Sequence, residues 1–376
     1  MAGQRRRGVR QHSVAIVDES SAHRSQVAAA LLSFYEVADY ADSARAMAAF
    51  RSVLPALVLV GESVPPGSGY DFVRRLRHGL GLADLPVIVV VGQDDPPTRG
   101  AVVRCGANAH LVRPYWRSAL IRTISSLLNG DIERKWNTLP PLQREALKGT
   151  VAVFNSIADV IDKGEPIIYK AVSDACSPLV EAVNKSDFKG ILLGVRDHDN
   201  YSYAHSMRVA TLLSLFGFTI RLPPGEQVIL ASGGLLHDVG KMSIPHGVLN
   251  KPGRLTPEEF DVMRSHVPSS ARYLRGCRDI PKSIITIAEQ HHEKLDGTGY
   301  PHGLAGSQLN ELARMASIVD VFSALTDRRV YKAPMDAEQA LDIMVDEMGG
   351  HLDQELVMLF RQMLLDAAVD TPPTVN

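Results

Sequence analysis

The chain has 376 residues, 45% of them hydrophobic and 22% charged, with a formal net charge of -2. That length allows two domains with full cores, and the near-neutral balance excludes a general pull toward nucleic acid polymers or anionic membranes. The longest apolar stretches, such as Val209 to Ile220, fall short of the ~20 residues a spanning helix needs. Cys105, Cys176 and Cys277 stand far apart in no ligand spacing, so reduced thiols and a cytoplasmic setting without a signal peptide are expected.

After a basic Arg5-Arg6-Arg7 tail, residues 13–128 alternate short β-branched runs with amphipathic stretches. Strands are predicted at Val14–Val17, Glu36–Asp39, Leu57–Val60, Pro86–Val91 and His110–Val112. Helices are predicted between them, at Ser21–Phe34, Ser43–Ser52 and Tyr70–Arg77. Such interleaving predicts an α/β doubly wound parallel five-stranded sheet, whose functional residues gather at the C-terminal strand ends. Asp18-Glu19 follow the first strand, Gly61 the third, Val91-Gly92 the fourth and Arg113-Pro114 the fifth.

This order resembles a response-regulator receiver domain, in which an acidic pair holds magnesium beside a phosphorylated aspartate. The resemblance makes Asp18 and Glu19 the acidic pair. It also puts Gly61 at the phospho-aspartate position, Val91 at the usual Thr or Ser, and Arg113 at the usual Lys. Glycine has no carboxylate to accept a phosphoryl group, and Glu62, one residue on, points to the other face of a strand. Residues 12–128 are therefore expected to form a degenerate receiver that serves dimerisation or partner docking.

Residues 129–165 form a predicted helical linker, broken at Pro140-Pro141 and Gly164-Glu165-Pro166. Within it Gln143–Asp162 carries apolar residues at helical spacing, suited to packing on the second domain or pairing across a dimer. From residue 166 to 368 the helical pattern continues without convincing strands, so an all-α second domain is expected.

Two adjacent pairs stand out there: His237-Asp238, followed by Gly240-Lys241, and His291-His292, followed by the glycine-broken run Asp296 to Pro301. An adjacent His-Asp pair offers an imidazole and a carboxylate side by side, as two ligands or as a bridge. His205, His266 and Asp320 lie in apolar-periodic helical segments. Five histidines and two carboxylates exceed the needs of one ion and suit two. Imidazole and carboxylate together select first-row divalent metals, and the lack of cysteine argues against structural zinc. Two ions would leave net positive charge against Asp238 and Asp320, attracting a phosphodiester. Ions ~3.5–4 Å apart also activate a bridging water.

Both motifs in order, with His205 before and Asp320 after, resemble the HD-GYP branch of the HD phosphohydrolase superfamily over roughly the C-terminal half. The resemblance implies hydrolysis of cyclic di-GMP to pGpG, and onward to GMP, with two divalent ions, iron or manganese. It assigns His205, His237, Asp238 and Asp320 to one ion. Asp238 would bridge to a second ion held by His266, His291 and His292. Some members hold a third ion through a glutamate four residues before the first histidine; Tyr201 stands there, so two are expected, and Asp199 is out of phase.

By the same resemblance Lys241, one helical turn after His237, contacts phosphate and joins Asp238 in catalysis. Arg329 and Lys332 grip the substrate phosphates, a task suited to guanidinium. Asp296, Gly299 and Tyr300 form a loop for substrate recognition and partner contacts. Ser323 replaces a common aspartate. The other histidines, among them His23, His246 and His302, carry no assigned role. A homodimer is expected. The alternatives are a non-catalytic cyclic di-GMP receptor acting through a protein partner, and a hydrolase of another cyclic dinucleotide or phosphoester.

Overall fold

A computed structural model of the chain describes residues 9–31, 33–79, 82–196, 198, 200–251, 253–327 and 335–369. Arg329, Lys332 and Asp199 lie outside these residues. The chain divides into two compact units that part at Asp131, except that the short segment Pro245–Gly247 groups with the first.

The first unit alternates strand and helix: β1 (Val9–Val17), α1 (Ser21–Leu31), β2 (Glu36–Tyr40), α2 (Ser43–Ser52), β3 (Leu54–Gly61), α3 (Gly69–Gly79), β4 (Val87–Val91), α4 (Pro96–Cys105), β5 (Ala109–Val112) and the start of α5 (Arg117–Trp136). The strands are all parallel, in the order β2-β1-β3-β4-β5. Every residue of β4 is buried, as is each from Leu57 to Gly61 of β3, because helices cover both faces of such a sheet. The registers Val17↔Val60, Gly61↔Val90 and Val91↔Val112 bring the C-terminal ends of four strands to one edge. β1 starts five residues before the predicted Val14. Polar Arg10-Gln11-His12 hide the alternation there, and the pairing with β3 shifts register between Arg10 and Val14.

The second unit is helical: α6 (Pro141–Asp162), α7 (Tyr169–Asn184), α8 (Lys189–Val195), α9 (Tyr201–Thr219), α10 (Pro224–Leu236), a 3-10 turn (Val239–Ser243), α11 (His246–Leu249), α12 (Pro257–Arg264), α13 (His266–Arg275), α14 (Lys282–Gln290), a second 3-10 turn (Gly306–Gln308), α15 (Glu311–Thr326), α16 (Ala337–Asp346) and α17 (Gln354–Val369). α9 is its centre. Met207, Val209, Ala210, Leu212, Leu213 and Phe216 are all buried, so this helix is apolar around most of its girth. α10 lies against it at Gly234, where an added Cβ would stand 2.7 Å from the Ala210 backbone. That close approach brings the end of α10 beside the first turns of α9. Among the described residues no helix is long and apolar enough to cross a membrane.

Candidate metal centre

His205 projects from α9, His237 caps the C-terminus of α10, Asp238 opens the 3-10 turn, and His266 begins α13. His291 caps α14, with His292 next, and Asp320 lies on α15. A buried hinge joins these pieces. The Gly240 N–H donates to Ser270 Oγ at 2.8 Å, and a Cβ at Gly240 would stand 2.2 Å from the His266 carbonyl. Only glycine lets the 3-10 turn press against the start of α13.

The seven predicted ligands converge. The ligand atoms of His205, His237 and Asp238 lie within 4.8 Å of one another, as do those of His266, His291 and His292. Asp238 stands between the two groups. Its Oδ2 is 3.1 Å from His237 Nε2 and 3.8 Å from His205 Nε2, while its Oδ1 is 3.2 Å from His266 Nε2 and 3.7 Å from His291 Nε2. Asp320 reaches His205 Nε2 at 2.9 Å through Oδ1 and His292 Nδ1 at 3.9 Å through Oδ2.

Three of the imidazoles are oriented by carbonyls that helix ends leave free. His237 Nδ1 donates to Gly234 O at 2.7 Å, His266 Nδ1 to Met263 O at 2.5 Å, and His291 Nδ1 to Ala288 O at 3.1 Å. A proton on Nδ1 leaves the Nε2 lone pair facing inward. His237 Nε2, His266 Nε2, His291 Nε2 and Asp238 Oδ1 are buried without a hydrogen bond. Such atoms are costly to bury unpaired, and a cation would satisfy all four. The donor set and these orphaned atoms fit divalent metal.

The charges point the same way. Burial disfavours every charge here. Even so, attraction to the nearby Asp238 and Asp320 carboxylates pushes His237 up to about 10, and hydrogen bonds to Asp320 and Asp327 raise His205. Burial carries His292 down to about 3 and holds His291 well below the usual histidine range. Asp238 and Asp320 stay well below the carboxylate range despite burial, held by His237 and Lys241 and by His205 and His237. Protons thus offset carboxylate charge where a metal would.

Lys241 differs from its predicted geometry. Residues 239–243 form a 3-10 turn rather than an α-helix, and Lys241 Nζ makes a short ion pair with Asp238 Oδ2. Tyr201 stacks on His205, with centroids 5.8 Å apart. Tyr300 lies 4.9 Å from the His292 ring and meets Phe260 of α12 edge-on. Asp296 instead serves its own loop, accepting from Thr298 N at 2.9 Å and Thr298 Oγ1 at 2.7 Å. At Gly299 a Cβ would stand 2.4 Å from Glu293 Cα.

Two residues to which the sequence reading assigned no role also bear on the site. Buried Glu293 accepts from His302 N at 2.6 Å and Leu304 N at 3.0 Å, pinning the loop beyond Tyr300. Its place beside His291-His292 was the signal. Asp327 pairs with His205, and no local pattern marks it.

In the first unit Asp18 is buried and Glu19 exposed. Asp18 Oδ2 meets His23 Nδ1 at 2.8 Å and Arg113 Nη2 at 2.7 Å, while Oδ1 accepts from Ser20 N at 2.8 Å. Burial would raise the Asp18 carboxyl, but these partners lower it. A Cβ at Gly61 would fall 2.2 Å from Asp18 Oδ2, so the carboxylate fills the space a side chain would need. His23 Nε2 also reaches Tyr115 Oη at 2.6 Å.

Residues 194–356 match the HD domain family, and residues 14–125 match the response regulator receiver domain family. These matches place a receiver domain ahead of an HD domain in the chain. Over 171 residues it is 40% identical to the cyclic di-GMP phosphodiesterase PA4108 of Pseudomonas aeruginosa, covering 45% of this chain and 41% of that protein. It is 28% identical over 323 residues to the cyclic di-GMP phosphodiesterase response regulator RpfG of Xanthomonas campestris pv. campestris, covering 86% of this chain and 79% of that one. It is also 32% identical over 164 residues to the 3'3'-cGAMP-specific phosphodiesterase 3 of Vibrio cholerae, covering 44% of this chain and 35% of that one.

Proposed function

We propose that this protein is a metal-dependent phosphodiesterase of the HD-GYP branch that hydrolyses cyclic di-GMP to pGpG and onward to GMP in the cytoplasm. The observation that carries the reading is the Asp238 carboxylate. One oxygen faces His205 and His237 and the other faces His266 and His291, so a single side chain serves both groups.

His205, His237, Asp238 and Asp320 would hold one divalent ion, and His266, His291, His292 and Asp238 the other. Iron and manganese suit the ligands. Such ions supply positive charge to a phosphate and lower the pKa of water so that it can act as a nucleophile near neutral pH.

The protein's own part is to hold the imidazoles in one tautomer. Lys241 stands beside Asp238, where its ammonium can turn from the carboxylate to a phosphate oxygen. Tyr300, next to His292, offers an aromatic face for a base. Arg329 and Lys332 are proposed to grip the phosphates. Incubating manganese- or iron-loaded protein with cyclic di-GMP under anaerobic conditions, followed by chromatography, should yield pGpG or GMP; binding without product would overturn the proposal.

The resemblance to a 3'3'-cGAMP-specific enzyme favours a second reading, in which a hybrid cyclic dinucleotide is the preferred substrate. Comparing kcat/KM for the two substrates decides it.

The receiver domain is proposed to work without phosphorylation, as a docking or dimerisation module. Gly61 supplies no nucleophile, and Asp18 is committed to His23 and Arg113. Acetyl phosphate should leave the domain unlabelled, and a stable phospho-adduct would overturn this.

A further inference from the structure

His205 differs from the other oriented histidines. It sits inside α9 rather than at a helix end, so the spare carbonyls used by His237, His266 and His291 are out of its reach. Its Nδ1 is instead 3.0 Å from Asp327 Oδ2, a residue 122 positions later at the C-terminal cap of α15. Asp320, seven residues earlier on that helix, meets the other ring nitrogen, Nε2, at 2.9 Å. One helix therefore clamps the imidazole between two carboxylates.

Asp327 is itself fixed. Its Oδ1 takes Arg208 Nη1 at 3.1 Å, and Arg208 Nη2 donates to Thr326 Oγ1 at 2.8 Å. Its backbone N–H donates to Ser323 O at 2.8 Å. Arg208 follows His205 by three residues on α9, so the two share a face. The guanidinium keeps one carboxylate oxygen occupied and leaves the other for the imidazole.

We infer that Asp327 is a positioning residue for the metal ligand His205, holding the Nδ1–H tautomer and strengthening Nε2 as a donor. This rests on the metal reading proposed above. An ionised acceptor on Nδ1 makes a stronger hydrogen bond than a carbonyl and raises ligand basicity. His205 should therefore be the ligand whose strength depends most on a side-chain partner. Loss of such a partner weakens metal affinity about 10–100-fold.

The test is titration of metal-free, full-length protein with Mn2+, following free ion by electron paramagnetic resonance. Asp327→Ala should weaken one of two sites about 10–100-fold and leave the other within about twofold. Asp327→Asn keeps an acceptor but not the charge, and should weaken the same site by an intermediate factor with an unchanged melting curve. Unchanged binding in both variants would overturn the inference, as would equal weakening of both sites in Asp327→Asn. His205→Ala separates the two levels. If it still binds two ions, the metal reading fails; if it loses one while Asp327→Ala keeps both, only the role of Asp327 fails.

Discussion

Gly240→Ala tests whether the centre depends on the contact between the 3-10 turn and α13. The new methyl would stand 2.2 Å from the His266 carbonyl and 2.8 Å from Ser270 N and Oγ. Ordinary contact begins near 3.4 Å, so turn and helix must separate by about 1.2 Å (3.4 − 2.2). The opposing atoms are mostly backbone, which cannot rotate away. Overpacking of this kind costs about 1–3 kcal/mol, or roughly 2–4 °C in Tm per kcal/mol for a unit of this size. The same movement carries Asp238 away from His266 Nε2, now 3.2 Å distant. Calorimetry and metal analysis should therefore show a lower Tm together with reduced metal content. Gly225→Ala is the control, because nothing lies within 4 Å of its added Cβ, and it should melt at or slightly above the parent temperature. A Gly240→Ala protein with parental Tm and full metal content would refute the reasoning.

Other outcomes follow from the same contacts. In metal-free protein the raised His237 stabilises the fold fully below the ordinary histidine range near 6.5, and this stability is lost as pH rises through about 10. The Tm of metal-free protein should therefore fall between those limits while that of loaded protein stays nearly level; parallel curves would contradict this. Gly61→Asp should destabilise the receiver and still fail to take a phosphoryl group from acetyl phosphate, because Asp18 fills the space; stable labelling would refute it. Glu293→Ala leaves two backbone N–H groups without their acceptor, at a cost of about 1–3 kcal/mol for each one left unsatisfied. Hydrogen exchange at His302 and Leu304 should accelerate, and unchanged protection would refute the role.

The architecture was legible because periodicity is a local signal. β3 and β4 are apolar on both faces, as only a covered parallel strand needs to be. The converging side chains were legible because His237-Asp238 and His291-His292 are adjacent in sequence, and His205, His266 and Asp320 stand out in apolar helices. What escaped depends on distance along the chain. Asp327 lies 122 residues from His205, and no period links them. The 3-10 form of Val239–Ser243 comes from packing on α13, not from propensity. The inward turn of Asp18 follows from the missing side chain at Gly61 and the arrival of Arg113, 95 residues away.

Anaerobic metal analysis of the parent protein and Asp238→Ala, purified and loaded with manganese side by side, tests the central claim most directly. The account predicts two ions per chain for the parent and none firmly held by the variant, because one carboxylate serves both groups. Two ions retained by Asp238→Ala would contradict it.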